Sequence, residues 1–445
     1  MAVAQLPPEL YDIIVDYFYD DPATLTRCAL VCRSWLPAVR FHSWRRLCLK
    51  CTAVSLERFS QVLDVSPDVA YYVRDVVITQ KKTRFCTWED LHLLDATLAI
   101  LSRLPNLTQL TLDGLWFGAP TETSSAASSI TRHIFPSVRF LTISTCAFHE
   151  FTDVQNLCSA FPVLEAIRFD GIWWGQWMVE GRHRRTNVVP PLTDKSALRW
   201  KEIVLGSCFS RNVVIEWLLE SLSENTVRSL RLPLIGAYDS RLEGLLAHVG
   251  PNLRHLEIGC PSASANHVQD IQDGVPTPVS SLVDLSRCTT LRTLSLSVPT
   301  YRDASIITRW LVALLLQVAS PFLEEIRFAV HPILRGDAPE AYAMLAAFDW
   351  ELVTSVLLGY TPTSHSSSHS SSLINSRREI THPPSTMRHM RRFTSLKKVT
   401  FCAGRAADYA QMPSAFVSLA PHLRKLASTF FGPLEKRGVQ VRFKG

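Results

Sequence analysis

Apolar residues recur along most of this chain in one spacing, apolar-x-x-apolar-x-apolar. That spacing puts the last two of each set on the same face of an extended segment. It occurs at Val73-x-x-Val76-x-Ile78, Leu107-x-x-Leu110-x-Leu112, Val138-x-x-Leu141-x-Ile143 and Leu164-x-x-Ile167-x-Phe169. It returns at Trp200-x-x-Ile203-x-Leu205, Val227-x-x-Leu230-x-Leu232, Leu253-x-x-Leu256-x-Ile258 and Leu291-x-x-Leu294-x-Leu296. Leu323-x-x-Ile326-x-Phe328 and Leu396-x-x-Val399-x-Phe401 follow, and Leu423-x-x-Leu426 reads as a decayed last copy. Several copies follow a proline, as in Pro105-Asn106-Leu107, Pro251-Asn252-Leu253 and Pro321-Phe322-Leu323, where it ends the preceding helix and feeds the strand. Between copies the apolar period lengthens to that of a helix, predicting helices over 55–64, 89–104, 154–161, 212–222, 241–248, 304–318 and 340–358.

Such a unit buries its apolar positions only by stacking on its neighbours, and its strand core is that of a leucine-rich repeat. The fold expected is α/β: an N-terminal helical domain over 1–50, then a leucine-rich-repeat-like solenoid, or horseshoe, of parallel strands and helices over 51–445. A less regular α/β array is the alternative. Copies starting at 138, 164, 200, 227, 253, 291 and 323 are separated by 26, 36, 27, 26, 38 and 32 residues, so insertions are expected on the loops. The longest gap holds the run from Ser364 to Ser372, which contains only serine and histidine. A stretch so poor in apolar residues is expected to be disordered, over about 360–392.

The first fifty residues follow a different pattern. Pro7 and Pro8 suit a helix start, and Leu10, Ile13, Ile14 and Tyr17 then form one apolar stripe. Asp20-Asp21-Pro22 stops that helix and starts another, with Asp21 as N-cap and Pro22 at the first helical position. The second helix carries Leu25, Cys28, Ala29, Cys32 and Trp35 on one face, leaving Leu30 and Val31 off it. Apolar residues pointing two ways suggest that one side packs on the chain and the other on a second protein.

The stretch Leu6-Pro7-x-Glu9-Leu10, Ile13/Ile14, Leu25, Leu30-Val31-Cys32-Arg33-x-Trp35 and Trp44 resembles an F-box. That resemblance covers about a tenth of the chain; taken with the repeats, the chain resembles fungal-type F-box proteins with degenerate leucine-rich repeats. The resemblance implies docking on a Skp-type adaptor, joined in turn to a cullin-based ubiquitin ligase. The chain is then the substrate-recognition subunit, with an unknown protein substrate held by the repeats. The adaptor contacts it implies are Leu6, Pro7, Leu10, Ile13, Leu30, Val31 and Trp35. Two other readings are a helical cap closing the repeat array, and a leucine-rich-repeat scaffold without a ubiquitination role.

Composition narrows the picture. With 47% hydrophobic residues over 445 positions there is ample core, yet no apolar run approaches a bilayer span and no signal peptide is evident. An intracellular protein, cytoplasmic or nuclear or both, with no membrane contact is expected. Eleven cysteines are scattered singly, which fits reduced thiols. Cys28, Cys32, Cys48 and Cys51 lack a histidine at finger spacing, so no metal is expected. There is no phosphate-binding glycine loop, GxSxG or HExxH, and no nucleophile with its base, so neither enzymatic activity nor a cofactor is expected.

Recognition surface is better represented. The residue between the last two apolar positions of each copy faces the concave side, giving the row Val77, Thr111, Thr142, Arg168, Val204, Arg231, Glu257, Ser295, Arg327, Thr400. Arg168, Arg231 and Arg327 are the candidate substrate contacts, because an arginine fork pairs two oxygens at once. The residue after the first apolar position gives a second column: Arg74, Thr108, Arg139, Glu165, Lys201, Arg228, Arg254, Arg292, Glu324, Lys397 and Arg424. Eight of these eleven are basic, a stripe that a net charge of +6 conceals. It is either a solvated edge or a surface for an acidic or phosphorylated partner; nucleic acid ranks last. Trp116, Trp173 and Trp174, placed after glycine turns, are rim candidates for binding or for packing between turns.

Overall fold

The computed structural model describes residues 7–80, 88–117, 134–174, 198–208, 211–223, 225–233, 235–236, 241–262, 283–299, 304–331, 346–361, 388–389, 393–403, 424–425 and 428–444. The chain divides into two compact units, Met1–Val213 and Val214–Gly445.

The first unit opens with three helices, α1 (Pro8–Tyr17), α2 (Pro22–Cys28) and α3 (Leu36–Arg45). Proline stands in the first turn of each, where its missing N–H leaves no partner wanting. Asp21 caps α2, its carboxylate accepting from the Ala23 and Thr24 N–H groups at 3.1 Å. The small core consists of Val15, Leu25, Cys28 and Val39, with Phe18, Ala29, Trp35 and Ala38 packed on it. His42 of α3, its side chain nearly enclosed, lies 2.6 Å from Asp16 of α1 and ties the two helices.

This corrects the second helix expected to carry Leu25, Cys28, Ala29, Cys32 and Trp35 on one face. The second helix ends at Cys28, Cys32 is extended (φ −163°, ψ 165°), and Arg33–Trp35 form a 3-10 turn leading into α3. Cys32 is exposed, so it shares no face with Leu25 and Cys28. An apolar period that continues across a turn looks the same in sequence as one helix. Pro37, in the first turn of α3, is the start signal that separates them.

Six parallel strands follow in this unit: Arg46–Lys50, Asp75–Thr79, Gln109–Asp113, Phe140–Ser144, Ala166–Asp170 and Glu202–Leu205. Their register aligns the repeated apolar positions. Leu47, Val76, Leu110, Leu141, Ile167 and Ile203 form one continuous row, and Leu49, Ile78, Leu112, Ile143, Phe169 and Leu205 the next. The second unit repeats the design with Ser229–Leu232, His255–Gly259, Thr293–Pro299, Glu325–His331, Lys398–Ala403 and Gln440–Lys444, all parallel.

Two of these strands lie outside the expected set. Arg46–Lys50 belongs to a copy Trp44-x-x-Leu47-x-Leu49, which the sequence reading passes over because Trp44 closes the F-box pattern. The last strand is Gln440–Lys444, not the copy at Leu423, since Arg424 and Lys425 are helical. Register places Gly438 at the first motif position of that last strand, where an apolar residue is expected, so the spacing rule cannot find it.

The helices between strands fall where the apolar period put them: Ala53–Val65, Trp88–Leu101, Phe151–Ser159, Arg211–Ser221, Leu242–Val249 and Ala304–Gln317. The helix expected over 340–358 is described only from residue 346 and is broken before Trp350, where Asp349 caps a new helix by accepting from the Leu352 N–H at 2.8 Å. At the long insertion, Tyr360–Thr361 pairs antiparallel with Arg388–His389. The rest of the segment expected to be disordered lies outside the described residues. No helix among the described residues is long and apolar enough to cross a membrane.

Candidate functional site

On the N-terminal helices, the apolar residues divide into two sets. Val15 is 0% exposed and Leu25 2%, whereas Ile13 is 63% exposed, Tyr17 81%, Leu30 83% and Val31 62%. Leu10 and Ile14 are also exposed. A stripe at i, i+3, i+4, i+7 normally marks the buried side of a helix. Here it marks the outer side, while Val15 of α1 is buried in the core and Tyr11 packs on Trp35. A domain this small gains nothing for its own fold from so many large apolar groups in water.

Leu10, Ile13, Leu30 and Val31 all belong to the exposed set. Pro7 is exposed and begins α1, its C=O accepting from the Leu10 N–H at 3.0 Å. Trp35 is half-buried, packed on the small core with its ring centroid 5.8 Å from that of Tyr11. Leu6 lies outside the described residues.

The central row forms in both units, and its charges are held internally. In the first unit the Arg168 guanidinium donates to Asp170 at 3.0 Å. In the second, Arg231 donates to Glu257 at 2.7 Å and Arg327 to Glu325 at 2.7 Å. Each arginine remains about a third to a half exposed, so each is oriented by a carboxylate and still open to solvent. Glu325 is the buried centre of a cluster, accepting from Arg327 and, at 2.8 Å each, from Lys398 and Thr400. Burial would raise the Glu325 carboxyl, but the hydrogen bonds from Arg327, Lys398 and Thr400 win and hold it down at about 2. This carboxylate ties two neighbouring strands together.

The second column is a physical feature, built by backbone hydrogen bonds. Each member donates its N–H to the carbonyl of the member before it: Thr108 to Arg74, Arg139 to Thr108, Glu165 to Arg139 and Lys201 to Glu165. In the second unit Arg254 donates to Arg228, Arg292 to Arg254, Glu324 to Arg292 and Lys397 to Glu324. Arg424 is not a member, since the following strand continues the ladder through Gln440, which donates to the Lys397 carbonyl. Arg45 is a member that the sequence reading left out: its carbonyl accepts from Arg74, and both guanidiniums stand 5.7 Å from the Phe41 ring.

Much of the column is neutralised. Glu165 bridges Lys201 at 3.0 Å and Arg139 at 3.3 Å, and the hydrogen bond from Lys201 draws its carboxyl below the usual range. Glu324 is likewise lowered by its hydrogen bond from Lys397 at 2.9 Å.

The rim aromatics form a second, smaller layer in the first unit. Trp116–Phe117, Ala147–Phe148 and Trp173–Trp174 make three short parallel strands, entered through turns at Gly114 (φ +70°), Thr145 (φ +50°) and Gly171 (φ +64°). Trp116 and Trp173 meet edge to face at 5.5 Å, and Trp174 is buried against Phe151 at 4.9 Å. Trp174 is thus a packing residue, while Trp116 and Trp173 stay half-exposed.

Of the cysteines, Cys146, Cys158 and Cys288 are buried, and burial pushes the Cys146 and Cys288 thiols up to about 12, too high to be nucleophiles. Among the described residues no cluster of His, Cys, Asp and Glu is arranged to hold a metal ion.

No curated protein matches this chain. Residues 3–50 match the family model described as F-box-like, so the three helices that display Leu10, Ile13, Leu30 and Val31 form an F-box-like domain.

Proposed function

We propose that this chain is the substrate-recognition subunit of a Skp-cullin-F-box type ubiquitin ligase. The observation that carries the reading is the exposed apolar set on the domain matched over residues 3–50. In this reading Leu6, Pro7, Leu10, Ile13, Leu30 and Val31 meet a Skp-type adaptor, and Trp35 buttresses them. The aligned strands of each unit act as leucine-rich-repeat-like arrays, and Arg168 in the first unit and Arg231 and Arg327 in the second are the candidate contacts for a protein substrate inside the cell.

The chain contributes no bond-making group of its own. It holds a substrate lysine near a charged conjugating enzyme, which turns a chance encounter into a tethered reaction at high effective concentration.

Co-purification tests the proposal. Recovery of adaptor together with cullin supports it, and adaptor alone supports a protein-interaction scaffold without ubiquitination. Changing Leu6 and Pro7 together to Ala is expected to abolish adaptor recovery; unchanged recovery removes the assignment. Changing Arg168, Arg231 and Arg327 to Lys, which keeps a positive charge beside each carboxylate but removes the planar fork, is expected to leave adaptor recovery and circular dichroism intact and to weaken capture by an F-box-deleted substrate trap.

A further inference from the structure

Directly after α3 the first unit presents an open strand edge, and its row of apolar positions is unfinished there. The first strand, Arg46–Lys50, pairs on one side only, with Asp75–Thr79, and stands at the end of the strand order. Its outer N–H and C=O groups have no strand neighbour among the described residues. Leu47 is half-buried, whereas Val76, Leu110, Leu141, Ile167 and Ile203, the later members of its row, are at most 1% exposed. One more strand would cover it.

The chain turns from this strand into the helix Ala53–Val65 beside a groove of about 420 Å³, whose lining includes Val54, Phe59 and Val62 together with Lys50 and Arg58. Ser60 and Asp64, on the opposite flank of the helix, are bonded by Arg103 of the next repeat at 3.2 and 2.6 Å. At 3.6 residues per turn, Val54, Arg58 and Val62 therefore fall on the flank turned away from that repeat, on the side of the open edge.

The edge is basic. Arg46, Cys48 and Lys50 form its exposed face. Asp75 holds the Arg46 guanidinium through Nε at 3.3 Å and leaves 75% of the side chain exposed. Lys50 and Arg58 are exposed and form no ion pair among the described residues. Glu57 accepts from Gln61 at 3.4 Å, outside the groove. A second copy paired edge to edge about Cys48 would set Arg46 opposite Lys50, and like charges so placed destabilise a ladder. A segment carrying carboxylates reverses the sign of that contact.

We propose that Arg46–Lys50 is a docking edge for an extended acidic segment of a partner protein, which adds to it as a further strand. Alternate residues of a strand face opposite sides. Carboxylates at every second position then meet Arg46 and Lys50, while the apolar residues between them cover Leu47 and enter the groove. Main-chain bonds to the edge supply affinity, and the alternating side chains supply selectivity. Charges that merely keep a sheet edge from pairing account for Arg46 and Lys50, but not for the groove or the half-covered Leu47.

This inference goes beyond the ligase reading and does not rest on it. Its test is fluorescence anisotropy on the full chain with two labelled peptide mixtures. In each, a degenerate apolar position alternates with a fixed residue, glutamate in one and lysine in the other. Two further forms of the glutamate mixture are N-methylated, one on each set of alternate amides. The glutamate mixture is expected to bind at least about tenfold tighter than the lysine mixture. One N-methylated form is expected to lose that margin, because only one set of amides faces the edge. K50E/R58E changes two exposed side chains, so it is expected to keep the native circular dichroism while abolishing the margin. Equal binding of the glutamate and lysine mixtures overturns the proposal, as does a margin kept by both N-methylated forms or by K50E/R58E. Sedimentation of the chain alone as a dimer that K50E/R58E disperses would assign the edge to a second copy, and overturns it too.

Discussion

Glu325 shows how a single residue on the solvent face becomes structural. It is buried among Arg327, Lys398 and Thr400, and each of these donates to it within 2.8 Å. Its folded pKa of about 2 lies below the usual carboxylate value of 4.5. The stability it contributes is therefore fully present above the unfolded pKa and is lost as pH falls through about 2. Thr400→Val removes a buried hydroxyl that donates to this charge, and is expected to cost about 1.5–3 kcal/mol in urea denaturation at neutral pH. Glu325→Gln should flatten the acid limb of a stability-versus-pH curve relative to the native chain, and an identical limb would show that the carboxylate is not coupled to folding. Backbone strain makes a comparable point at Gly171, whose φ of +64° is strained for any residue with a side chain and whose added Cβ would press on Thr145 at 3.3 Å. Gly171→Ala is expected to lower stability by about 1–2 kcal/mol, read from the thermal midpoint.

At the scale of elements, the N-terminal helices separate folding from docking. Leu25→Ala, within the small core, is expected to cost about 2–5 kcal/mol and to loosen the domain in circular dichroism. Changing Leu30 and Val31 to Glu should keep stability within about 0.5 kcal/mol while abolishing adaptor recovery, because both side chains already lie in water. Unfolding of that double variant would show that the face is needed by the chain itself. The sequence made the strands legible because six-residue spacing survives any loop length. It hid the strand at Arg46–Lys50, whose first motif residue, Trp44, also fits the preceding domain, and the strand at Gln440–Lys444, whose first position is Gly438. The site was legible in kind but not in pairing. Glu165 meets Arg139 and Lys201 only through register across loops of unequal length, and no local rule predicts which of those charges remain unpaired.

Across the whole molecule, two compact units are built on one rule of register, and the insertions differ between them. The antiparallel pair Tyr360–Thr361 with Arg388–His389 brings the ends of the longest insertion together. Replacing residues 362–387 with a short Gly/Ser linker is expected to leave the thermal midpoint nearly unchanged, since halving a loop alters its closure cost by only about 0.6 kcal/mol. A fall of many degrees would mean that the excised residues pack on the body.

The alternation of rows on the strands bears on how such a chain can diversify. In the second unit Leu230, Leu256, Leu294, Ile326, Val399 and Val441 form one wall, while every second residue belongs to the opposite face. Replacements on that opposite face leave the wall untouched, so specificity can drift while foldability is conserved. The exceptions are the linked groups. Arg231 and Glu257 constrain one another, as do Glu325, Arg327, Lys398 and Thr400, and changes there must arrive together. Among the described residues Arg254 forms no ion pair, and Arg292 acts on Glu324 only through its charge, without a hydrogen bond. They are the positions at which one mutation could redirect recognition without a second to rescue the fold, and where related chains are expected to differ most freely.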